Sequence, residues 1–331
     1  MEPIFACLRV LLVLICAAGV LAKPIRVGYL PDIGFAPLNV ADVKGYWREQ
    51  GVQVQLVPFD DSQSQMKALA NGEIDVAGDL LANAIGWQIA GAPIRLAAET
   101  HWSNGSVKLL LKSGQDIRQL KGQVAGLADK QMGQMFLLSR YLNANGLRLA
   151  DFKLQEANAE RVAAGFTRGQ IQVALLADPY AAETQRVGSG VVAVDSATYQ
   201  GLLPAGFAIN SHNEAGIGAE QWTRFYKGWL KAVLWVRGPD FKWGEFRDLL
   251  NARTFRNFSA QSDAGMMDMY SGIKFHGIYD AIKRHGELGG MEYYVRDVLR
   301  FMKENGISRT DPQPRTLIAS APFEEALKAF K

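Results

Sequence analysis

Cysteine is almost missing from this 331-residue chain, because its only two cysteines, Cys7 and Cys16, both lie in the first 22 residues. If that segment is removed from the mature protein, no cysteine remains. A disulfide framework and a thiol nucleophile are then both excluded. Several classes of enzyme are eliminated in this way before any motif is considered.

Recognisable catalytic patterns are missing as well. The sequence has no G-x-S-x-G, no H-E-x-x-H, no P-loop and no G-x-G-x-x-G after a predicted strand. The four histidines, His101, His212, His276 and His285, form no pattern with other residues. His101, Asp79 and Glu99 come nearest to a set of metal ligands, but their spacing fixes no geometry. We therefore predict neither a metal nor a cofactor.

Charge of one sign is also lacking. The net charge is only +3, and Lys and Arg are scattered among Asp and Glu, so the sequence does not indicate a nucleic-acid surface. There is no low-complexity tract. With 48% hydrophobic and 21% charged residues over 331 positions, the chain has the composition of a globular protein and room for two lobes.

One long hydrophobic run is present, at the N-terminus. Arg9 precedes the apolar stretch from Val10 to Ala22, and polar sequence begins at Lys23. The run is short for a membrane span and is typical of a secretory signal peptide. We predict a signal peptide over residues 1–22, cleaved after Ala22, and export of the mature protein. An uncleaved membrane anchor is the alternative.

Strand and helix patterns alternate along residues 24–196. The predicted strands are 24–32, 52–59, 73–78, 93–100, 122–128, 152–157, 170–177 and 191–196. The predicted helices are 36–51, 62–72, 80–91, 132–146, 159–169 and 179–188. Such alternation predicts an α/β fold with mostly parallel sheets flanked by helices.

One unit of this pattern occurs twice. The stretch NGEIDVAGD begins at Asn71, and RGQIQVALLADPY begins at Arg168. In each stretch a glycine ends a helix and an apolar strand follows; Gly72, Ile74, Val76 and Ala77 match Gly169, Ile171, Val173 and Ala174 at a constant offset. Chance recurrence is the alternative, but the aligned flanking elements favour two similar α/β lobes.

After Leu203 the chain is predicted to turn helical. Two segments carry apolar residues at helical spacing, which is far more typical of core packing than of an aromatic ligand box. The first stripe is Trp222, Phe225, Tyr226, Trp229, Leu230, Val233 and Leu234, and the second is Met291, Tyr294, Val295, Val298, Leu299 and Met302. We read Lys283 to His285 as a solvated face.

A candidate ligand site follows from the predicted topology. In open α/β sheets, ligands bind beyond the carboxyl ends of the strands, where helix N-termini also present free N–H groups to anions. The ligand-binding candidates selected by this rule are Asp32, Gly34, Phe35, Ser62, Gln63, Asp79, Leu80, Glu99, His101, Trp102, Lys130, Gln131, Met132 and Asp178.

Several candidates also have a structural interpretation. Ser62, Asp79 and Asp178 are typical helix N-caps, and Ser62 has Gln65 in capping-box spacing. Asp32 is suited to the turn after Pro31. Trp102 follows a strand end, where its ring could stack on a ligand.

The first lobe resembles a known family in three segments, APLNVADVKGYWREQG, ALANGEIDVAG and GAPIRLAAET. The segments QLKGQVAGLADKQMGQ and AGFTRGQIQVALLADPY continue the likeness, which runs from Ile25 to Pro179. Together they resemble the substrate-binding proteins of bacterial ABC transporters in the nitrate/sulfonate/taurine branch, which have the type II periplasmic-binding-protein fold.

This resemblance implies a non-enzymatic periplasmic protein with two lobes joined by a two-strand hinge. Lobe 1 would comprise residues 23–101 and 204–331, and lobe 2 residues 102–203. The implied partners are a small-molecule ligand and an inner-membrane ABC permease with its cytoplasmic ATPase. We expect a monomer.

The ligand is left open between two chemistries. The resemblance implies a sulfonate, taurine or nitrate, but Lys130, Gln131 and Met132 stand where the family often has small hydroxyl residues. The predicted strand-end loops are also rich in acids, so an amine-bearing or zwitterionic ligand is our alternative hypothesis. Two other functions stay open: a non-thiol enzyme of the same fold acting on a small aromatic or heterocyclic compound, and a ligand-sensing partner of a membrane receptor.

Overall fold

The computed structural model describes residues 23–128, 131–188, 190–258 and 262–330. The predicted signal peptide and the predicted ligand residue Lys130 lie outside the described residues. No helix within the described ranges is long and apolar enough to cross a membrane.

Eleven strands in the described residues form two sheets. The strands are β1 Ile25–Tyr29, β2 Val54–Pro58, β3 Val76–Leu80, β4 Ile94–Ser103, β5 Val107–Lys112, β6 Val124–Ala128, β7 Lys153–Ala157, β8 Val173–Ala177, β9 Gly190–Asp195, β10 Pro204–Asn210 and β11 Ile273–Phe275. The six-stranded sheet has the order β11-β4-β10-β3-β1-β2, and the five-stranded sheet has the order β7-β6-β8-β5-β9. We call the parts of the molecule around them the first lobe and the second lobe. The predicted α/β, two-lobed architecture is confirmed.

Both sheets are mixed, because each has an antiparallel strand inserted beside its parallel core. In the first lobe β1 pairs in parallel with β2 and β3, while β10 lies antiparallel between β3 and β4. In the second lobe β6 pairs in parallel with β7 and β8, while β5 lies antiparallel between β8 and β9. The sequence reading did not include β5, β10 or β11, and its expectation that the chain is only helical after Leu203 is wrong.

Fourteen α-helices in the described residues cover the sheets. They are α1 Ala36–Val43, α2 Tyr46–Glu49, α3 Ser62–Ala70, α4 Leu81–Ile89, α5 Met132–Ala144, α6 Ala159–Thr167, α7 Tyr180–Gly188, α8 Ser211–Ile217, α9 Ala219–Arg237, α10 Trp243–Leu249, α11 Asp263–Ser271, α12 Ile278–Arg284, α13 Gly290–Glu304 and α14 Ala321–Lys328. Short 3₁₀ turns occupy Ile33–Phe35, Ile117–Leu120, Leu149–Asp151 and Pro314–Leu317, and Leu250–Thr254 is a π-helical turn.

The two predicted apolar stripes on α9 and α13 are buried in the core, with one exception. Leu234 was predicted to lie on the α9 stripe, but it is 38% exposed. The core of the first lobe is rich in aromatic pairs; for example, Phe207 of β10 packs edge-on against Trp229 of α9 with ring centroids 4.8 Å apart.

The repeated sequence unit corresponds to a repeated packing unit. In each lobe a glycine on the central strand faces an isoleucine from the turn before the neighbouring strand. A Cβ added at Gly28 would lie 2.5 Å from Ile74 Cδ1, and one added at Gly126 would lie 2.7 Å from Ile171 Cδ1. The two contacts are equivalent by register, since Gly28 pairs with Ala77 and Gly126 with Ala174. The doubling therefore reflects two similar βαβ units.

The chain crosses between the lobes twice, from β4 to β5 and from β9 to β10. Three buried serines join the two crossings: the Ser103 hydroxyl lies 2.7 Å from both the Ser106 and the Ser196 hydroxyls. Ser196 Oγ also accepts a hydrogen bond from the Gly105 N–H at 2.7 Å. This cluster forms the hinge side of the space between the lobes.

Candidate functional site

A cavity of about 240 Å³ lies between the lobes, at the carboxyl ends of β1 and β3 on one side and of β6 and β8 on the other. We call it the cleft. Its described lining includes six carboxylates and no lysine or arginine. Its polar lining includes Asp32, Asp79, His101, Gln131, Gln134 and Asp178, and its apolar walls include Phe35, Leu80, Val107, Ala205 and Ile273.

The structure brings most of the sequence-predicted candidates to the cleft. Lining positions are occupied by Asp32, Phe35, Ser62, Gln63, Asp79, Leu80, His101, Gln131 and Asp178. Gly34, Glu99, Trp102 and Met132 are not part of the lining. Gly34 is buried behind Asp32 and donates its N–H to Asp32 Oδ1 at 2.6 Å. Met132 packs at the contact between α4 and α5 instead.

Asp79 is the most buried carboxylate of the cleft, with 4% of its surface exposed. Its Oδ1 accepts hydrogen bonds from the Leu80 N–H at 2.7 Å and from Asn83 Nδ2 at 2.9 Å. Its Oδ2 accepts one from the Ser62 hydroxyl. All three donors are neutral, so Asp79 has no charge partner among the described residues.

The assignment of Ser62 as an N-cap is wrong, and this hydrogen bond is the reason. Asp61 caps α3 instead, since its carboxylate accepts from the Ser64 N–H at 2.7 Å. Ser62 is thereby free to point its hydroxyl toward Asp79 across the neighbouring strand end.

Burial and mutual repulsion raise the pKa values of the cleft carboxyls. Desolvation raises the pKa of Asp79 to about 6, with the charge of Asp32 as a smaller contribution in the same direction. Desolvation also raises the pKa of Asp32 to about 6, and the charge of Asp178 adds to it. Since Asp32 responds to a carboxylate of the opposite lobe, the acids of both lobes face a common space.

Asp178 differs from the other two because its charge is compensated. It forms an ion pair with Lys108 of β5, and its Oδ1 accepts from the Ala182 N–H at 3.0 Å, at the start of α7. The cap that the sequence suggested for Asp178 is therefore present. Burial still raises the pKa of Asp178, while Lys108 opposes that shift.

His101 enters the cleft as a neutral imidazole. It is 1% exposed, and burial lowers its pKa to about 3. Its Nδ1 lies 2.9 Å from Thr100 Oγ1, whose hydroxyl donates to the Ala205 carbonyl at 3.3 Å. The Nε2 edge of the ring packs against Gly34, where an added Cβ would lie 2.1 Å from Nε2.

Glu99 and Trp102 lie on a different face of β4 from His101 because β4 has a β-bulge at Thr100. Ala205 and Gly206 are consecutive on β10, yet they pair with His101 and Glu99, so Thr100 is the extra residue. A bulge changes which face the following side chains occupy. As a result His101 faces the cleft, whereas Glu99 and Trp102 share the opposite face, where Trp102 Nε1 donates to Glu99 Oε1 at 2.7 Å.

Glu99 is the centre of a buried ion-pair network on that opposite face. Arg284 donates to both of its oxygens, at 2.7 and 2.8 Å, and His276 Nε2 lies 2.9 Å from Oε1. Burial alone would raise the pKa of Glu99, but these two partners outweigh it and lower the pKa to about 2. The interpretation of residues 283–285 as a solvated face is wrong for Arg284 and also for His285, which is 5% exposed.

Two glutamines face the cleft from the second lobe at the start of α5. Gln134 is 4% exposed and its Oε1 accepts from the Ala128 N–H at 3.0 Å. Its amide NH₂ has no hydrogen-bond partner among the described residues. The sequence reading did not select Gln134, although its position one turn inside a helix that follows a strand end was a usable signal.

Asn83 connects the lobes and was also missed. From α4 it donates to Asp79 in its own lobe and to Gln131 Oε1 in the other, at 2.6 Å. Its Oδ1 accepts from the Gly133 N–H at 3.1 Å. With 1% of its surface exposed, Asn83 forms a buried hydrogen-bonded bridge from the cleft carboxylate to the second lobe.

Within the described ranges no group of three or more His, Cys, Asp or Glu side chains is arranged to hold a metal ion. Asp79 lines the cleft, whereas Glu99 is not part of its lining.

The chain belongs to the NMT1/THI5-like family, whose model matches residues 32–200, slightly more than half of the chain. Among curated proteins, a binding protein of Brucella abortus is 26% identical over 152 residues. That match covers 46% of this chain and 47% of the Brucella protein, so the chain spans about half the length of the curated relatives it matches.

Solved structures share the fold over nearly the whole chain. The periplasmic nitrate-binding protein NrtA of Synechocystis superposes with a TM-score of 0.75 at 14% identity, over 94% of this chain and 89% of that one. The periplasmic aliphatic sulphonate binding protein SsuA of Escherichia coli gives 0.72 at 16% identity, over 90% and 92%. A desulfurization enzyme gives 0.65 at 13% identity, over 93% and 100%. At these identities the likeness describes the periplasmic-binding-protein fold.

Proposed function

We propose that this protein is the periplasmic solute-binding component of an ABC importer. It captures a small organic ligand in the cleft and presents it to an inner-membrane permease that is driven by a cytoplasmic ATPase. In this proposal the lobes comprise residues 23–101 with 204–331 and residues 102–203, and residues 1–22 direct export. The family membership and the nitrate- and sulphonate-binding structural neighbours support this function.

The observation that carries the proposal is the Asn83 bridge beside the cavity between the lobes. The cleft is bounded by strand ends of both lobes, and Asn83 joins Asp79 to Gln131 and Gly133 across it. A ligand that contacts both walls favours the closed arrangement by its differential affinity for that arrangement. Closure around a bound solute, followed by docking of the closed form, requires no chemical step.

A binding screen combined with scattering tests the proposal. The protein is unfolded, dialysed and refolded, and its melting temperature is measured with sulfonates, taurine, nitrate, amino acids and amines. A ligand at a hundred times its dissociation constant adds about 2.7 kcal/mol of stability. For any hit, small-angle scattering should show a smaller radius of gyration with ligand than without. An unchanged radius with a verified ligand would argue against closure.

An enzyme of the same fold is the second candidate, and the two cleft carboxyls with pKa values of about 6 favour it. Groups that titrate near neutrality are suited to general acid–base catalysis. Mass spectrometry of the hit compound after prolonged incubation separates the two candidates. Recovery of the compound unchanged supports a binding protein, whereas a product with a new mass supports an enzyme.

A further inference from the structure

We propose that the cleft selects a small organic cation, whose protonated nitrogen is held by Asp32 and Asp79 of the first lobe. The same ligand carries a neutral acceptor, such as a carbonyl, a hydroxyl or a ring nitrogen, that meets the amide of Gln134 in the second lobe. This inference rests on the proposed function and specifies its ligand class.

Apart from the half-buried amide of Gln63, the free groups of the first-lobe wall are acceptors. Asp32 Oδ1 takes the Gly34 N–H, and Oδ2 has no hydrogen-bond partner among the described residues. His101 contributes its neutral ring to this wall, with the Nε2 edge packed against Gly34. Asp79 accepts three hydrogen bonds and donates none. A ligand that satisfies this wall must supply N–H or O–H donors.

The charge balance decides between a neutral donor and a cation. Asp79 is a buried carboxylate with only neutral partners, and a buried charge without a counter-charge is unfavourable. Asp178 already has Lys108, and the described lining supplies no other cationic side chain for Asp32 or Asp79. His101 is kept neutral by burial. A ligand cation supplies the missing counter-charge, whereas a sulfonate or nitrate would add a further negative charge to six carboxylates.

The second-lobe wall adds a hydrogen-bond donor to the cleft. Gln134 is 4% exposed and lines the cleft, and its NH₂ group has no hydrogen-bond partner among the described residues. Because its Oε1 is held by the Ala128 N–H at 3.0 Å, the orientation of the amide is fixed and a donor faces the cavity. A ligand lying across the cleft therefore meets acceptors at one end and a donor at the other.

The apolar walls suit the body of such a ligand. Phe35 lines the cleft beside His101, with ring centroids 5.0 Å apart in an edge-on arrangement. Tyr180 lines the opposite side. Aromatic faces near a cation add to its binding, and the volume of about 240 Å³ restricts the ligand to a small molecule.

The test uses the full chain, stripped by unfolding and dialysis, refolded and incubated with the small-molecule fraction of a bacterial extract. Native mass spectrometry identifies the retained compound, and calorimetry with the purified compound measures its affinity. We expect the compound to contain a protonated nitrogen and a separate neutral acceptor. Asp79→Asn and Asp32→Asn should each weaken binding by about tenfold or more, because a buried charge pair is lost.

Asp240→Asn is the matched control, since Asp240 is an exposed carboxylate outside the cleft lining; its affinity should stay within about twofold. An anion without a protonatable nitrogen as the retained compound would overturn the cation proposal and leave solute binding intact. Undiminished affinity in a folded Asp79→Asn variant would do the same. If the folded protein retains no small molecule, the proposed function itself fails. This outcome is distinct from retention of an anion and from undiminished affinity of the Asp79→Asn variant, which overturn only the cation proposal.

Discussion

At the scale of single residues, the two most buried carboxylates of the first lobe have opposite relations to charge. Asp79 has three neutral donors and faces the cleft, whereas Glu99 has Arg284 and His276 and faces away. One carboxylate therefore lowers the stability of the ligand-free fold when it ionises, and the other raises it. Replacing either carboxylate with its amide is therefore expected to change the free energy of unfolding, but in opposite directions.

Asp79→Asn should stabilise the ligand-free protein at neutral and higher pH. The pKa of Asp79 is raised from 3.8 to about 6, so its contribution to stability is complete below the unfolded pKa and is lost as the pH rises through about 6. The variant has no carboxylate to ionise at this position. Its free energy of unfolding should therefore exceed that of the native protein by on the order of 1–3 kcal/mol at pH 8, and the difference should vanish near pH 4. Urea unfolding at both pH values, without ligand, measures the difference.

Asp240→Asn again serves as the control for a general effect of removing negative charge. Asp32 titrates in the same range for the same reason, so Asp79→Asn should reduce but not abolish the pH dependence of the native protein. Equal stabilisation of the Asp79→Asn variant at pH 4 and pH 8 would contradict a raised pKa for Asp79 in the folded protein.

Glu99→Gln should destabilise the protein by about 3–5 kcal/mol, because it leaves the Arg284 guanidinium in a half-buried site without a counter-ion. The pKa of Glu99 is lowered from 4.5 to about 2. The stabilisation that ionised Glu99 gives to the folded protein is thus present above its unfolded pKa and is lost only as the pH falls through about 2. Urea unfolding at pH 7 measures the loss. An unchanged affinity for ligand in the folded variant would agree with the place of Glu99 outside the cleft.

The sequence could place these residues at one edge of the sheet but not on one face. The strand-end rule selected Glu99, His101 and Trp102 together. Their separation depends on the bulge at Thr100, which is visible only in the pairing of β4 with β10. Since β10 begins with a proline and contains a glycine, it has no clear strand pattern. Without that strand no bulge can be inferred.

At the scale of secondary-structure elements, the helix α4 links ligand recognition to lobe closure through Asn83. The residue sits one turn after Asp79 and reaches the first turn of α5 in the second lobe. Gly133 permits the approach, because a Cβ there would lie 2.8 Å from Leu80 Cδ1. The two helices therefore meet directly over the cleft.

Asn83→Ala should accelerate ligand dissociation by about tenfold, because the hydrogen bonds that Asn83 makes across the lobe contact are lost in the closed state. Stopped-flow displacement of bound ligand measures the rate. Asn143→Ala on α5 is the matched control, since Asn143 is an exposed asparagine of the second lobe. If both variants release ligand at the native rate, Asn83 has no role in holding the lobes together.

Element types were predictable where the chain alternates regularly, and the errors have a common physical cause. The repeated unit around Ile74 and Ile171 was recognised because local signals define it: a helix-ending glycine followed by an apolar strand. By contrast, β5 and β10 are the strands that lie antiparallel beside the parallel core. The positions of β5 and β10 in the two sheets depend on pairing between residues far apart in sequence, near the lobe crossings, and no local sequence pattern encodes such pairing.

At the scale of the whole molecule, the contact between α4 and α5 allows the closed arrangement to be locked. A Cβ built at Gly86 lies 3.7 Å from Met132 Cβ, which is within the range of a disulfide. The two cysteines of the chain lie in the first 22 residues, so Gly86→Cys with Met132→Cys introduces one specific pair across the lobes. We expect oxidation to join the lobes in the closed state.

Such a lock should trap ligand or exclude it, depending on the order of addition. Oxidation after ligand is bound should slow its release by about a hundredfold or more, because the lobes must separate for the ligand to leave. Oxidation of the stripped protein should prevent uptake, and reduction should restore both steps. Dissociation is followed with the compound found in the binding screen, and the single variants Gly86→Cys and Met132→Cys control for effects of the substitutions. If the oxidised double variant exchanges ligand as fast as the reduced one, the ligand does not bind between the lobes, and the cleft is not the site.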